Sequence, residues 1–262
     1  MTAGTRAARD PGVVVIVLAK TPVPGQVKTR LCPPLSPARA ADVAAAALLD
    51  TLDSALAVPG ARVVVALTGD LTAAARAAAV RAALGSCVVV PQRGDTLGAR
   101  IAAAHADTAV LLPGRPTLQI GMDTPQADSE LLAAGLAALG AAPPAPVDML
   151  AAGAVAMHRR HDGSPVMLKD LPGRVGPDAV LGLATDGGWW ALGLRDPRAA
   201  NLLTGVRTSC ADTGARTVAA LRAGGLRVAL LPELTDVDTV ADARVVSARI
   251  PRSRFAAAVA CL

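Results

Sequence analysis

Short apolar runs alternate with longer segments of helical periodicity along most of the chain. The first run, Val13–Leu18 (VVVIVL), is rich in β-branched residues, as in a strand buried on both faces of a parallel sheet. Further strands are predicted at Ala61–Leu67, Cys87–Val90, Thr117–Gly121, Ala179–Leu183, Trp189–Leu194 and Leu226–Leu231. Helices are predicted at Pro37–Val58, Thr72–Leu84, Leu97–Leu111, Ala127–Leu139, Pro197–Leu203, Asp212–Ala223 and from Val240 onward. Because this alternation produces a sheet covered on both faces, we predict an α/β fold, a three-layer α/β/α sandwich around a mostly parallel sheet.

The composition predicts a chain with ample material for a hydrophobic core. Apolar residues make up 52% of the 262, and the mean hydropathy is +0.44. No uninterrupted apolar run reaches the roughly 18 residues of a membrane span, and no signal-peptide pattern follows the N-terminus, so we expect a cytoplasmic protein. Four scattered cysteines predict neither a disulfide framework nor a zinc site. We expect one domain over residues 1–262, with an atypical insert at about 140–177.

The net charge of the chain raises the question of a nucleic-acid partner. The formal charge is +5 and the pI about 9.6. However, the basic residues are spread along the chain, and only three aromatic residues (Trp189, Trp190 and Phe255) could stack on bases. A small phosphorylated ligand suits a mild excess of positive charge equally well, and we expect no nucleic-acid partner.

The loop after the first strand contains a group of cations. Of the 26 basic residues only Lys20, Lys28 and Lys169 are lysines, and two of these lie in the Pro- and Gly-rich segment AKTPVPGQVKTRLCPP. Gly25 would let the backbone approach a ligand closely, and Lys20, Lys28 and Arg30 would supply charge for a pyrophosphate. The segment lacks the GxxxxGK[ST] pattern of a Walker A loop. A solvated basic turn is the alternative.

Aspartates follow two other strands. Asp123, in the sequence GMDTP, comes at the end of an apolar strand, where a carboxylate beside a diphosphate would recruit Mg²⁺ or Mn²⁺. Asp236 and Asp238 follow the last strand, and because they alternate in an extended stretch we expect at most one, Asp238, to join the metal. The alternatives are that Asp123 caps the helix after it, and that Asp238 or Thr239 caps the last helix.

Two further loops contain candidate ligand-binding residues. Asp95, in QRGDTLG, would hold a ribose or base, or would only cap the helix that follows. The turn Asp186-Gly187-Gly188 precedes two adjacent tryptophans, and successive strand residues face opposite sides. One indole is therefore expected in the core, while the other, which we take to be Trp189, would stack on a sugar or an acceptor. Asp186 is the candidate general base.

The predicted insert at 140–177 lacks clean periodicity and contains the sequence His158-Arg159-Arg160-His161. We expect a solvated loop there. A substrate lid and a metal site are the alternatives, although no third ligand lies near the two histidines in sequence.

Six motifs, in this order, resemble one bacterial protein family. They are AKTPVPGQVKTRL (Ala19–Leu31), GDTLGARI (Gly94–Ile101), IGMDTP (Ile120–Pro125), LGLATDGGWWALGL (Leu181–Leu194), DTGARTVAAL (Asp212–Leu221) and LTDVDTVADA (Leu234–Ala243). On these motifs the chain resembles the GT-A-like glycosyltransferases associated with radical-SAM and selenodomain proteins, often called arsenosugar-type glycosyltransferases. The resemblance implies the GT-A, Rossmann-like fold of the nucleotide-diphospho-sugar transferases. The chain departs from the family's usual Gly-Pro-Ala at Gly182–Ala184, and the family lacks the insert.

The resemblance also implies roles for individual residues. By that analogy Lys20, Lys28 and Arg30 face phosphates, Asp123 corresponds to the metal ligand of the DxD motif, and Asp238 is the second carboxylate used by related nucleotidyltransferases. We therefore predict a metal-dependent glycosyltransferase that moves a sugar from a nucleotide-sugar donor to a small-molecule acceptor of unknown identity. A nucleotidyltransferase, of the phospholactate guanylyltransferase or sugar-phosphate type, and a nucleotide-binding module without turnover are the alternatives. Nothing in the sequence predicts an oligomeric state.

Overall fold

The computed structural model describes residues 12–140 and 176–260, and one seven-stranded sheet runs through that part of the chain. Its strands are β1 (Val13–Lys20), β2 (Ala61–Thr68), β3 (Val88–Pro91), β4 (Thr117–Gly121), β5 (Ala179–Ala184), β6 (Trp189–Leu194) and β7 (Val228–Leu234). The spatial order is β3-β2-β1-β4-β6-β5-β7. Only β6 runs antiparallel to its neighbours, β4 and β5, so the predicted mostly parallel sheet is confirmed.

Helices cover both faces of the sheet. They are α1 (Pro37–Leu56), α2 (Ala77–Leu84), α3 (Leu97–Leu111), α4 (Ser129–Ala138), α5 (Thr213–Ala223), α6 (Val240–Arg249) and α7 (Arg254–Val259). Helices α1, α2 and α4 contribute to a hydrophobic cluster on one face, and α3 and α5 contribute to clusters on the other. The predicted α/β/α sandwich is therefore confirmed.

Helix α1 is buried on two sides, which accounts for its alanine-rich sequence. One side packs on the sheet, and the other packs with α6 and α7 around Phe255. Ser36 begins the helix as predicted, because its side chain accepts a hydrogen bond from Arg39 N with Pro37 in the first turn. The C-terminal helices thereby fix the segment that follows β7 against the segment that follows β1.

Two predicted boundaries are wrong, whereas the helix predicted at Pro197–Leu203 has its predicted bounds. The helix predicted from Thr72 begins only at Ala77, because Asp70 caps a short 3-10 helix and Arg76, paired with Asp42 at 2.7 and 3.0 Å, takes a left-handed conformation. Pro197–Leu203 is a 3-10 helix. The last strand begins at Val228 and extends to Leu234, three residues beyond its predicted end.

No helix within residues 12–140 and 176–260 has the length and apolar character needed to span a membrane. The predicted insert, with His158 and His161, lies outside the described residues except at its two ends. Whether residues 1–262 form a single domain therefore stays a prediction.

Candidate functional site

The carboxyl ends of β1, β4 and β5 open onto a cavity of about 640 Å³. The loop after β1, the start of α3 and the segment after β7 complete its walls. Of the predicted site residues, eight line this cavity: Lys20, Lys28, Arg30, Asp123, Asp186, Gly188, Trp189 and Asp238. Parallel strands place their C-terminal loops at one edge of a sheet, so loops far apart in sequence meet here.

Lys28 links the loop after β1 to the aspartates. Its Nζ lies 2.8 Å from Asp123 Oδ2 and 3.5 Å from Asp238 Oδ1, and it also donates to Val237 O. The side chain is only 9% exposed. Burial alone would lower the pKa of Lys28, but the charge of Asp123 and the hydrogen bond to it outweigh burial and hold the pKa above its ordinary value. The ammonium is therefore charged, and it neutralises part of an acidic cluster.

The other two cations of the loop lie nearer to solvent. Arg30 Nη1 lies 2.6 Å from Asp238 Oδ2 on an exposed side chain. Lys20 Nζ donates to Gln26 O at 2.8 Å, which holds its ammonium over its own loop. Both contacts are partly exposed and therefore weak, so a stronger anion could recruit these groups from their present partners.

Of the capping alternatives, capping by Asp123 and by Asp238 is wrong, whereas capping of the last helix by Thr239 is confirmed. Helix α4 is capped by Asp128, which accepts from Leu131 N, and not by Asp123. Helix α6 is capped by Thr239 in a capping box with Asp242. The carboxylates of Asp123 and Asp238 are therefore directed to the Lys28 and Arg30 contacts instead of to a helix end.

Asp95 and two glycines do not line the cavity. Thr96, not Asp95, caps α3, and Asp95 is exposed outside the cavity lining, so the structure does not bring it to the site. Gly25 has a φ of +77° in a turn beside the cavity. Gly187 has a φ of +87°, and a Cβ there would lie 1.8 Å from Ala211 O. Gly187 therefore allows the close approach of a neighbouring loop.

One of the two tryptophans is buried in the core, as expected, but both contribute to the lining of the cavity. Trp190 is 2% exposed in the core, and its Nε1 donates to Pro232 O at 2.9 Å. Trp189 lines the cavity. The preceding turn presents Asp186 at the cavity wall, where its Oδ1 accepts from Gly188 N at 2.8 Å. One exposed carboxylate and one indole thus lie side by side.

Asp236 was not predicted to belong to the site, yet it lines the same cavity as Asp238. That at most one of the two joins a metal stays a prediction, but its premise of strict strand alternation does not apply, because β7 ends at Leu234. Burial and, after it, the negative charges of Asp123 and Asp186 together raise the pKa of Asp236 to about 7. The pair of acids in LTDVDT was the available signal.

Two glutamines were also missed. Gln92 follows β3, and its Nε2 donates to Ala19 O at 2.7 Å and to Ala66 O at 2.9 Å. Gln119 lies within β4 and is 3% exposed. Both line the cavity. A polar residue in the middle of an apolar strand was the signal for Gln119.

The site can be tested for its fit to a divalent cation. Carboxylates are the oxygen ligands that Mg²⁺ and Mn²⁺ prefer, and the pKa of Asp236 is raised first by burial and then by the negative charges of Asp123 and Asp186 nearby. Within residues 12–140 and 176–260 no three acidic, histidine or cysteine side chains form a complete ligand group. The residues therefore fit a cation that takes only one or two protein carboxylates and completes its coordination with phosphate and water oxygens.

Similar solved structures were found, and the one with a TM-score of 0.70 supports the fold. A protein from Desulfovibrio desulfuricans G20, provisionally assigned as a nucleotide-diphospho-sugar transferase, matches with a TM-score of 0.70 and 26% identity over 95% of this chain and 94% of that chain. A CMP:2-keto-3-deoxy-manno-octonic acid synthetase in complex with CTP gives 0.48 and 14% identity over 92% of this chain and 98% of that chain. A 4-diphosphocytidyl-2C-methyl-D-erythritol synthase gives 0.48 and 15% identity over 91% and 99%.

The sequence comparisons give a family. No curated protein matches significantly. Residues 51–162 and 167–210, more than half of the chain, match a bacterial family described as "Uncharacterized protein conserved in bacteria (DUF2064)". With the nucleotide-diphospho-sugar transferase type of fold already established, we conclude that the chain belongs to the bacterial DUF2064 family.

Proposed function

We propose that the protein is a metal-dependent glycosyltransferase that binds a nucleoside-diphosphate sugar in this cavity. The observation that carries the proposal is the 2.8 Å contact between Lys28 Nζ and Asp123 Oδ2. It joins the cation-rich loop after β1 to the acid that follows β4 across a single cavity. A diphosphate bound there would meet cations on one side and a metal-recruiting carboxylate on the other.

The cationic side chains would bind the diphosphate. Lys20, Lys28 and Arg30 line one wall, and their present partners are carboxylates or a backbone carbonyl that a phosphate can replace. Asp123 and Asp238 would hold Mg²⁺ or Mn²⁺. The bound ion would neutralise charge on the departing nucleoside diphosphate. Once Asp123 and Asp238 also bind the metal ion, the phosphates would supply the negative charge that keeps Lys28 ionised.

The acceptor would enter beside Asp186, and Trp189, which lines the same cavity, would stack on the sugar that is transferred. Trp189 offers a flat apolar surface for a ring, and Asp186 is an exposed carboxylate that can take a proton from an acceptor hydroxyl. Asp186 Oδ1 is held by Gly188 N, which fixes the orientation of the carboxyl group. The radical-SAM-associated, arsenosugar-type subfamily, which the motifs resemble, is the finer assignment that we propose.

Nucleotidyl transfer is the second candidate. A fourth cation, Arg100, also lines the cavity, where its Nε donates to Gly94 O at 2.9 Å. Four cationic side chains would suit a triphosphate, from which pyrophosphate would leave. The same loop residues would then bind the three phosphates.

Product analysis separates the two candidates. The purified chain would be incubated with Mn²⁺ and either nucleotide sugars or nucleoside triphosphates plus sugar phosphates. Release of free nucleoside diphosphate from a nucleotide sugar is the expected result, and it should be lost in Lys28→Met but retained in the exposed control Arg252→Met. Pyrophosphate release without any nucleoside diphosphate would replace the proposal with nucleotidyl transfer.

A further inference from the structure

The amide of Gln119 is a buried polar group without a complete set of partners. Gln119 lies in β4 and is 3% exposed, and its Oε1 is buried with no hydrogen-bond partner among the described residues. Most buried polar side-chain atoms in proteins have a partner, because an unpaired one loses its water without compensation. The unpaired oxygen lowers the stability of the fold, so a role in ligand binding would explain its presence better than packing does.

The side chain of Gln119 faces α3. Thr117, two residues earlier in β4, lies with its Oγ1 3.0 Å from the Nδ1 of His105 in α3, and alternate strand residues share a face. Gln119 is paired with Ile16 of β1 and Leu192 of β6, which pack in clusters with residues of α3. Since Gln119 also lines the cavity, its amide forms part of the cavity wall beneath α3.

The surroundings of this amide are mostly apolar. Leu18, Ile101 and Trp189 line the cavity on the same side of the sheet and pack in one cluster. The cations and acids that we assign to the diphosphate lie at the strand ends, on the loops after β1, β4 and β7. The cavity therefore has a charged part and a second part with an indole, aliphatic side chains and one amide.

A hydroxyl-bearing ring matches this second part. Such a ring has apolar faces that stack on an indole, and its hydroxyl groups both donate and accept hydrogen bonds. An amide also offers an acceptor and donors, so it can pair with a hydroxyl from either end. A phosphate matches less well, because none of the four side chains Leu18, Ile101, Gln119 and Trp189 is a cation and the unpaired oxygen of an amide repels anions.

We propose that Gln119 and Trp189 form the subsite that selects the sugar ring of the nucleotide-sugar donor, with Gln119 hydrogen-bonded to a ring hydroxyl. This inference rests on the proposed function, and it adds a specificity-determining residue to it. A site built to hydrogen-bond a substrate hydroxyl discriminates strongly against analogues that lack the hydroxyl. Gln119 should therefore contribute to the binding of the sugar and not to the binding of the nucleoside diphosphate.

Replacement of Gln119 by the similarly shaped methionine tests the subsite. Calorimetry with Mn²⁺ would measure the affinity for UDP and UDP-glucose, for GDP and GDP-mannose, and for ADP and ADP-glucose. Thermal unfolding would measure the stability of the free protein. Gln119→Met should lower the affinity for the preferred nucleotide sugar by at least about tenfold, while the affinity for the matching diphosphate changes less than about twofold. The free variant should unfold at the same or a higher temperature, because an unpaired buried oxygen has been removed.

The matched control is Thr51→Val. Thr51 is 1% exposed in α1 with an equally unpaired Oγ1, but it does not line the cavity, so its replacement should leave both affinities unchanged. Trp189→Leu should show the same selective loss of sugar binding as Gln119→Met. Unchanged nucleotide-sugar affinity in Gln119→Met, or an equal loss for sugar and diphosphate, would overturn the subsite alone. A wild-type chain that binds neither kind of ligand would overturn the proposed function as well.

Discussion

Replacement of Asp236 by asparagine should stabilise the free protein at high pH. The folded-state pKa of Asp236 is raised to about 7, chiefly by burial and then by the charges of Asp123 and Asp186. A raised folded-state pKa means that the native state binds the proton more tightly than the unfolded chain does. The stabilising contribution of protonation is therefore complete below the unfolded pKa of about 3.9 and is lost as the pH rises through 7.

The magnitude follows from the size of the shift. Three pKa units correspond to about 4 kcal/mol of unfolding free energy when the carboxylate is ionised in both states, as at pH 8. At pH 5 the native carboxyl is protonated and only the unfolded chain is ionised, which lowers the unfolding free energy by about 1.5 kcal/mol relative to a permanently neutral group. Asp236→Asn, which cannot ionise, should therefore be more stable than the wild type by up to about 4 kcal/mol at pH 8, and the gain should fall to about a third of that at pH 5.

Urea unfolding from pH 5 to pH 8, in buffer with a metal chelator, measures this gain. Glu130→Gln is the control, because Glu130 is an exposed acid at the start of α4, and its replacement should give little change with pH. A stabilisation by Asp236→Asn that did not grow with pH, or a loss of stability at pH 8, would refute the electrostatic reasoning. A variant that is more stable than the wild type is expected where an acid is retained for ligand binding at the expense of stability.

Two further predictions concern the framework around the site. Burial lowers the pKa of His105 to about 3, so the stability that its neutral form confers is present above about pH 6.5 and is lost as the pH falls. Between pH 7 and pH 5 the wild type should lose about 2 kcal/mol through this residue, and urea unfolding of His105→Leu should lack that loss; equal pH dependence in both proteins would contradict the burial argument. Gly187→Ala should lower stability by more than about 2 kcal/mol in urea unfolding, because its Cβ would meet Ala211 O at 1.8 Å and its φ is +87°. In the control Gly205→Ala, where a Cβ meets nothing within 4 Å, the change should be small, and equal effects of the two alanines would argue against the close approach.

The order of elements could be predicted from the sequence because it depends on local patterns. The β-branched run at Val13–Leu18, the caps at Ser36 and Thr96, and the Pro- and Gly-rich loops each act over a few residues. Parallel strands then place their C-terminal loops at one edge, so the grouping of Lys28 with Asp123 could be expected before any coordinates. The antiparallel pairing of β5 with β6 follows from the four-residue turn between them, which is too short for a parallel crossover, but the place of β6 between β4 and β5 depends on pairing across the sheet, which local patterns do not encode.

The residues that the sequence did not reveal depend on tertiary surroundings. Asp236 resembles any other loop acid until its burial and its distance from Asp123 and Asp186 are known. Gln119 is a single polar residue in a strand, and only the packing of α3 makes it part of the cavity wall. The capping alternatives were equally local, and the choice of Thr96 and Thr239 over their acidic neighbours could not be made from residue types alone.

The binding of a nucleoside diphosphate as a function of metal tests the central claim most directly. Calorimetry would compare the wild type, Lys28→Met and Asp123→Asn with the preferred diphosphate, with and without Mn²⁺. We predict that Mn²⁺ strengthens binding to the wild type, that Asp123→Asn abolishes this metal dependence while the protein remains folded, and that Lys28→Met weakens binding by at least about tenfold. Metal-independent binding by the wild type, or the same Mn²⁺-dependent affinity in all three proteins, would contradict a shared diphosphate site between Lys28 and Asp123.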